Sequence, residues 1–367
     1  MIIGVPRETK PDEYRVGLLP VGAAELVSHG HTVLVQRHAG EGSGYADADY
    51  TRAGSTLVDE PAEVFTAAEM MIKVKEPQPH EVAMLRQGQV VFTYFHFAAD
   101  RDLTLGCLEK RIAAVAYETL AVDGKLPLLT PMSEVAGRMA IQQGAKYLER
   151  PQEGRGILLS GVPGVEPAKV TVLGGGVVGA NAAKVAAGLG ANVVIMDIDL
   201  DRLRYLDDVM PANVRTIHSN PESVAWHCCN SDLVVGAVLI PGARSPVLVP
   251  KTMLKDMRHG SVIVDVGVDQ GGCVETTKPT THAEPTYVID GVVHYCVANM
   301  PGAVGRTSTQ ALCHATQLWA VQLANSQGDI PALVAHHPAF ASALNMIDGR
   351  VTHPGVAAAH DLAHQPL

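Results

Sequence analysis

The feature that most constrains this chain is the run Gly174-Gly175-Gly176-Val177-Val178-Gly179, which lies between a β-branched stretch at 170–173 and an Ala-rich stretch. A G-x-G-x-x-G pattern between a strand and a helix is typical of a turn that binds the pyrophosphate of a dinucleotide. Gly174 would permit the tight turn, Gly176 would let backbone N–H groups approach the pyrophosphate at the helix N-terminus, and Gly179 would let helix and strand pack closely. The alternative is a glycine-rich packing turn without a ligand.

A second strand, predicted at 192–196, ends in Asp197, which follows Gly174 by 197 − 174 = 23 residues. A carboxylate there can accept hydrogen bonds from a ribose 2′-hydroxyl and would repel a 2′-phosphate, so the sequence favours NAD over NADP. Arg202, five residues further on, is a cation that could pair with a 2′-phosphate, so NADP remains an alternative cofactor.

Short β-branched runs alternate with longer helix-like stretches along the chain, which is typical of βαβ units and parallel sheets. We therefore expect an α/β fold with two doubly wound, Rossmann-like domains and a cleft between them. The expected strands are 2–5, 32–35, 70–74, 90–94, 113–117, 170–173, 192–196, 233–238, 262–266 and 293–297.

The alternation pauses around 127–131, and a long helix beginning at Ser133-Glu134 is expected to bridge the two domains. From Thr307 the tail has helical periodicity but too few companion helices for a domain of its own. The sequence therefore predicts a discontinuous substrate-binding and catalytic domain, residues 1–130 plus 306–367, and a dinucleotide-binding domain at 131–305.

Composition narrows the range of partners. The chain has 367 residues, with 28 Lys+Arg against 38 Asp+Glu and 47% hydrophobic residues. The net negative charge and the lack of a run of Lys and Arg argue against nucleic acid as a partner. The sequence also lacks an uninterrupted apolar stretch of about 20 residues, so no membrane-spanning helix is expected. Six cysteines without a C-x-x-C pair and an N-terminus without a signal-peptide pattern favour a reduced, cytoplasmic protein. No metal site is expected, because the closest pair, His360 and His364, lacks the H-E-x-x-H carboxylate.

Polar residues at the predicted strand ends are the candidates for chemistry, since ligands of open parallel sheets bind there. Arg15 could hold a carboxylate and Lys75 a carbonyl oxygen, while His96 could carry a proton and Asp269 follows a buried strand. These groups suit a small 2-oxo or 2-amino acid. Each residue taken alone could instead have a purely structural role. Arg15 and Lys75 could be solvated surface charges, His96 a packed core imidazole, and Asp269 a residue that forms a turn.

Two neighbours of these candidates have other expectations. Lys73 could face solvent like Lys75, two residues later. Glu118 follows the strand predicted at 113–117 and is expected to be a helix cap or a surface charge rather than a catalytic group.

Several blocks in order resemble bacterial alanine dehydrogenases, of the alanine dehydrogenase/transhydrogenase N-terminal domain family, along nearly the whole chain. The blocks are 1–8 (MIIGVPRE), 14–16 (YRV), 73–77 (KVKEP), 94–100 (YFHFAAD), 131–138 (PMSEVAGR), 239–242 (LIPG), 265–273 (DVGVDQGGC) and 294–303 (HYCVANMPGA). A visible departure is Gly305, where the family usually has proline.

The resemblance implies an NAD-dependent oxidoreductase that interconverts L-alanine with pyruvate and ammonium, and usually a homohexamer. It implies that Arg15 and Lys75 bind the substrate and that His96 and Asp269 are the acid/base residues. The implied cofactor contacts are Ser133, Val178, Asp197, Arg202, Ser219, Val238, Leu239, Val266, Gly267, Val268, Asp269, Val297, Ala298, Asn299 and Met300.

Other functions remain as alternatives. One is the NAD(H)-binding subunit of a proton-pumping transhydrogenase, which would need membrane partners. A second is a saccharopine dehydrogenase of similar two-domain plan, although the block at 269–272 fits alanine dehydrogenases better. A third is a catalytically inactive NAD-sensing regulator, against which the polar residues at every strand end argue.

Overall fold

A computed structural model of the chain describes residues 1–238, 245–268 and 271–367. It divides into two units, Met1–Met132 with Gly302–Leu367, and Ser133–Pro301. The junctions expected at 130/131 and 305/306 differ from these by two and four residues. The first junction falls inside one helix, Thr130–Tyr147, which therefore runs from one unit into the other.

The first unit is built on one mostly parallel sheet. Its strands are β1 (Ile2–Val5), β2 (Thr32–Gln36), β3 (Thr56–Val58), β4 (Met70–Ile72), β5 (Val90–Thr93), β6 (Ala113–Ala116), β14 (Leu344–Ile347) and β15 (Arg350–Val351). Their order in space is β15-β14-β6-β5-β4-β1-β2-β3, and only the β14 and β15 pairings are antiparallel.

The second unit carries a sheet of the same kind. Its strands are β7 (Lys169–Leu173), β8 (Asn192–Asp197), β9 (Val214–His218), β10 (Leu233–Gly236), β11 (Val262–Asp265), β12 (Thr286–Ile289) and β13 (Val292–Tyr295). Their order in space is β12-β13-β11-β10-β7-β8-β9, with only β12 antiparallel to its neighbour.

Both sheets reverse their strand order at one point, between β1 and β4 in the first unit and between β7 and β10 in the second. This is the doubly wound arrangement, and the expected fold class is confirmed. Loops that leave two neighbouring strands at such a switch point diverge to opposite faces of the sheet, which leaves a crevice for a ligand at the carboxyl edge.

Burial explains why the central strands read as unbroken apolar runs. Every residue of β4, β5 and β6 is buried, as is every residue of β10 and β11. A strand covered by helices on both faces needs apolar side chains on both, so β-branched and small residues follow one another without alternation.

The helices begin at local sequence signals. Aspartates cap three of the helices: Asp100, Asp199 and Asp329 each accept backbone N–H groups of the first turn that follows them. The helices are α1 (Pro20–Ser28), α2 (Asp47–Arg52), α3 (Pro61–Ala67), α4 (Pro79–Met84), α5 (Arg101–Lys110), α6 (Thr130–Tyr147), α7 (Val177–Gly188), α8 (Leu200–Val209), α9 (Pro221–Cys229), α10 (Gly305–Asn325), α11 (Ile330–His336), α12 (Ala339–Ala343) and α13 (Pro354–His360).

Two expectations about elements were wrong. Helix α6 begins at Thr130 rather than at Ser133, which lies in its first turn and is not its cap. The tail is not purely helical, because β14 and β15 extend the first sheet beyond β6. Helix α10 begins at Gly305 and packs on the first unit, where Thr309 Oγ1 accepts the backbone N–H of Val16 at 3.1 Å. None of the described helices is both long and apolar enough to cross a bilayer.

Candidate functional site

The substrate candidates of the first unit follow the strands at its switch point. Arg15 lies in the loop between β1 and α1, and Lys75 follows β4. His96 comes three residues after β5, the next strand along. The carboxyl edge of one sheet therefore presents these three side chains, as expected from the strand ends.

Arg15 is buried, with 3% of its surface exposed, so the solvated-charge interpretation was wrong. Its guanidinium is held by the buried Glu13, whose Oε1 accepts Nε–H at 2.6 Å and whose Oε2 accepts an N–H of Nη2 at 2.5 Å. Burial opposes the charge, but the Glu13 contacts raise the pKa of Arg15 above its ordinary value. Arg15 is thus a fixed cation, and its Nη1 lies 3.1 Å from Met132 Sδ.

The two lysines after β4 have different environments. Lys73 is fully buried between Glu8 and Glu81, at 3.2 and 3.0 Å from their carboxylates, so the solvent-facing expectation was wrong for it. Lys75 has 12% of its side chain exposed and lies 4.0 Å from Glu76. Burial, opposed by the Glu76 charge, lowers the pKa of Lys75. Lys73 therefore anchors the strand end, whereas the positive charge of Lys75 is less fully neutralised by nearby carboxylates.

Backbone contacts hold this segment in place. Glu8 Oε1 accepts the N–H of Val74 at 2.7 Å, and the hydroxyl of Thr93 in β5 donates to the Lys75 carbonyl at 2.9 Å. The position of Lys75 is therefore set by its own strand and by the strand beside it.

His96 occupies a strained turn. Its φ is 54°, in the left-handed region that few non-glycine residues adopt, and its side chain is 40% exposed, so it is not a packed core imidazole. Glu118 Oε1 accepts the backbone N–H of His96 at 2.6 Å. The ring stacks on Tyr94, with centroids 5.8 Å apart. Glu118 is neither a helix cap nor a free surface charge: it fixes the backbone turn that presents the imidazole.

In the second unit, the three motif glycines have distinct surroundings. Gly174 has φ of 101°, and a Cβ there would lie 2.7 Å from the Ala237 carbonyl oxygen; a Cβ at Gly179 would lie 1.8 Å from the Gly174 oxygen. A Cβ on Gly176 would meet no atom within 4 Å. Gly174 and Gly179 are thus required by the turn and the packing, whereas Gly176, the residue just before α7, borders open space. This arrangement fits a pyrophosphate beside backbone N–H groups.

Asp197 and Arg202 both bind the backbone of this turn. Asp197 Oδ2 accepts the N–H of Gly175 at 2.6 Å, and Arg202 Nε donates to the Gly175 carbonyl at 2.6 Å. Asp197 thus stands beside the glycine turn at the end of the adjacent strand, where a ribose hydroxyl group would meet it. Arg202 already has a backbone partner there.

The other implied cofactor residues in the described part of the chain belong to the second unit, most of them after the carboxyl ends of its parallel strands. Ser219 follows β9, Val238 follows β10, and 266–268 and 297–300 follow β11 and β13. Two lie on helices, Ser133 on α6 and Val178 on α7, where a Cβ on Gly137 would lie 2.2 Å from the Val178 carbonyl oxygen. Leu239 and Asp269 lie outside the described residues.

Residues that the sequence analysis missed support the candidates. They are Glu13 beside Arg15, Glu76 and Lys10 near Lys75, Tyr94 under His96, and Asp265, which accepts Cys273 N–H at 3.1 Å and the Thr277 hydroxyl at 2.8 Å. Each lies within five residues of Arg15, Lys75, His96 or Asp269, and Glu76, Tyr94 and Asp265 also stand in the family blocks at 73–77, 94–100 and 265–273. Across 1–238, 245–268 and 271–367, no group of His, Cys, Asp and Glu is arranged to hold a metal ion.

Comparison with known proteins places the chain in a family. Residues 4–136 match the family described as "Alanine dehydrogenase/PNT, N-terminal domain", and 140–354 match the corresponding C-terminal domain. A solved structure of an L-alanine dehydrogenase superposes with a TM-score of 0.95 at 50% identity, covering 99% of this chain and 100% of that one. A transhydrogenase from Sinorhizobium meliloti, with a TM-score of 0.81 and 24% identity over 96% and 99% of the two chains, shares the fold.

Curated relatives cover the whole length. An alanine dehydrogenase of Halomonas elongata is 56% identical over 99% of this chain and 98% of its own. One from Bacillus subtilis is 53% identical over 100% of this chain and 96% of its own. The chain therefore belongs to the alanine dehydrogenase family.

Proposed function

We propose that this chain is an L-alanine dehydrogenase, which catalyses the reversible, NAD-dependent oxidative deamination of L-alanine to pyruvate and ammonium. Full-length identity of 50–56% to curated alanine dehydrogenases carries the proposal. The cluster of Arg15, Lys75 and His96 at the carboxyl edge of the first sheet supports it. The chain is accordingly an oxidoreductase that acts on a CH–NH₂ group.

The substrate carboxylate binds to cations of the first unit. Arg15, whose guanidinium is held by the buried Glu13, supplies one fixed positive charge. Lys75 supplies the second charge, to the carboxylate and to the carbonyl oxygen of pyruvate. Arg15 is fixed by its buried partner and the Lys75 backbone by the neighbouring strand, so the two cations orient a molecule as small as alanine with little loss of entropy on binding.

His96 moves the protons. Bound NAD would supply the acceptor for the hydride of the alanine Cα, and loss of that hydride from the neutral amine would leave an iminium group. The His96 imidazole takes a proton from the water that adds to the C=N bond and returns it to the nitrogen. As the C–N bond of the carbinolamine breaks, the hydroxyl proton passes to the departing ammonia, which gives pyruvate and ammonium. An imidazole changes charge near neutral pH, so it can serve in both steps. Asp269 is proposed to share this acid/base work.

NAD is the proposed cofactor, held by the second unit. The N–H groups at the start of α7 and the open space beside Gly176 would take the pyrophosphate, and Asp197 the adenosine ribose. A 2′-phosphate near the Asp197 carboxylate would be repelled, and Arg202 is engaged by the Gly175 carbonyl, so NAD is preferred to NADP.

The transhydrogenase alternative is not favoured, because the similarity to a transhydrogenase stands at 24% identity and extends to the fold alone. We also propose a cytoplasmic homohexamer, as the family resemblance implies; the six free cysteines are compatible with a reducing compartment. Sedimentation of the purified protein measures the subunit number.

The experiment that tests the residue roles compares His96→Ala with the unmodified protein. We expect kcat for L-alanine oxidation to fall by about 100-fold or more, the usual contribution of a positioned acid/base. NADH affinity, measured by fluorescence titration, should be unchanged. Unchanged turnover would remove His96 from the chemistry.

A further inference from the structure

Glu76 lies near two of the three candidate groups of the first unit, His96 and Lys75. Its Oε2 is 3.7 Å from His96 Nδ1 and 4.0 Å from Lys75 Nζ, while its Oε1 accepts a hydrogen bond from Lys10. Among the described residues, Oε2 has no hydrogen-bond partner although it is buried. One carboxylate oxygen is therefore directed at an imidazole and an ammonium without being saturated by either.

The surroundings keep Glu76 ionised. Burial alone would raise the pKa of its carboxyl, but His96, Lys75 and Lys10 together lower the pKa below its usual range. An acid that stays ionised through the working pH range cannot itself carry the proton of the reaction. Its effect must come through the groups it faces.

We propose that Glu76 is a positioning residue that fixes the His96 imidazole with its proton on Nδ1, which leaves Nε2 as the nitrogen that accepts and returns the reaction's proton. This inference rests on the proposed role of His96. A carboxylate beside one ring nitrogen favours a proton there and stabilises the imidazolium form.

The other groups that face His96 do not duplicate this effect. Tyr94 stacks on the ring and donates its hydroxyl hydrogen to the Leu128 carbonyl at 2.6 Å. The Glu118 carboxylate holds the backbone N–H of His96 rather than its ring. Lys10 is bound to Glu76 and reduces the negative charge that the imidazole feels.

The test is the pH dependence of kcat for L-alanine oxidation with Glu76→Gln. Loss of the negative charge destabilises the imidazolium, so the acidic limb should move to lower pH by about one unit. Loss of orientation should reduce kcat by about 10- to 100-fold, as for other groups that orient an imidazole. Substitution of a residue that only supports the fold would change the maximum kcat and leave the acidic limb of the pH profile at the same pH.

Two further variants test the direction of the shift in the acidic limb and whether the Glu76 charge causes it. Lys10→Met leaves the Glu76 carboxylate with less compensating charge, so the acidic limb should move to higher pH. Glu76→Asp keeps the charge and should leave the limb nearer its original position than Glu76→Gln does. The control is Glu109→Gln, which makes the same chemical change on the exposed face of α5 and should leave the profile unchanged.

The outcomes separate this inference from the function proposed above. Turnover retained in His96→Ala would contradict the role of His96 itself. Turnover lost in His96→Ala with an unshifted limb in Glu76→Gln, or a shift in the same direction for Glu76→Gln and Lys10→Met, would contradict only the inference about Glu76. If Glu76→Gln fails to fold, the direction of the Lys10→Met shift decides.

Discussion

The ammonium of Lys73 lies 3.0 Å from the carboxylate of Glu81, and both side chains are buried beneath the strand end that carries Lys75. A second buried carboxylate, Glu8, lies 3.2 Å from the same ammonium and also binds the Val74 N–H. Burial alone would lower the pKa of Lys73, but these two carboxylates raise it above its ordinary value, so the lysine is charged.

Lys73→Met should therefore be strongly destabilising, because it leaves two buried carboxylates without their cation. We expect a loss of about 3–5 kcal/mol in the free energy of unfolding, measured by urea denaturation. Arg52→Met breaks an exposed pair with Asp49 and should cost at most about 1 kcal/mol. Equal losses in the free energy of unfolding would show that the buried cluster contributes no more to stability than an exposed ion pair.

A series of glycine substitutions tests the cofactor turn. Gly179→Ala places a Cβ 1.8 Å from the Gly174 carbonyl oxygen and should destabilise the protein by about 1–3 kcal/mol. Gly176→Ala meets open space and has an ordinary backbone conformation, so the protein should fold normally. Its NADH affinity should nevertheless fall by about tenfold or more, because the methyl group occupies the space assigned to the pyrophosphate.

Gly188→Ala is the control for this series. It lies at the end of the same helix, where a Cβ meets no atom within 4 Å, and alanine favours helix, so stability should stay the same or rise slightly. Fluorescence titration with NADH and thermal unfolding provide the two readouts. Normal NADH binding by Gly176→Ala would place the pyrophosphate elsewhere.

Asp197→Ala should alter cofactor choice. The substitution removes the acceptor of the Gly175 N–H and the group assigned to the ribose, so NADH affinity should fall by about 10- to 100-fold. NADPH should gain relative to NADH, because no carboxylate then opposes its 2′-phosphate. Asp208→Ala, an exposed aspartate at the end of α8, is the matched control. An unchanged ratio of the two affinities would refute the assignment of Asp197.

Pyruvate binding should depend on pH through Lys75. Burial, opposed by Glu76, lowers the pKa of Lys75, so the ammonium loses its proton as pH rises through a range below that of an ordinary lysine. Pyruvate affinity of the NADH-bound enzyme, without ammonium, should therefore decline with rising pH. Lys75→Arg keeps its charge at every accessible pH and should abolish this decline, even if its affinity is lower. A decline that persists in Lys75→Arg would assign the titration to another group.

The sequence predicted most of the fold because the central strands are buried on both faces. Apolar runs such as Val90–Thr93 and Leu233–Gly236 are typical of a strand covered on both faces. The strands that were missed lie at or near the sheet edges: Thr56–Val58, Val214–His218, Thr286–Ile289, Leu344–Ile347 and Arg350–Val351. Several of them mix polar and apolar residues, so periodicity alone did not distinguish them from loops.

The site was predictable in part. Arg15, Lys75 and His96 stood out because polar side chains follow apolar strands, and the switch points of the two sheets explain why such positions matter. Their partners did not stand out, because the roles of Glu13, Glu76 and Glu118 depend on which cation or N–H group each contacts in the folded chain. Lys73 and Lys75 show the same limit: they are two residues apart in one motif, yet Lys73 lies buried between two carboxylates, whereas Lys75 is 12% exposed and lies 4.0 Å from a single carboxylate.

The measurement that tests the central claim most directly is the appearance of NADH absorbance when the purified protein is mixed with NAD and an amino acid. L-Alanine should give NADH, and D-alanine and a reaction without amino acid should give none. L-Serine and L-lysine with 2-oxoglutarate serve as comparison substrates. NADH from L-alanine and not from its enantiomer would confirm the account, whereas bound NAD without turnover on any of these substrates would contradict it.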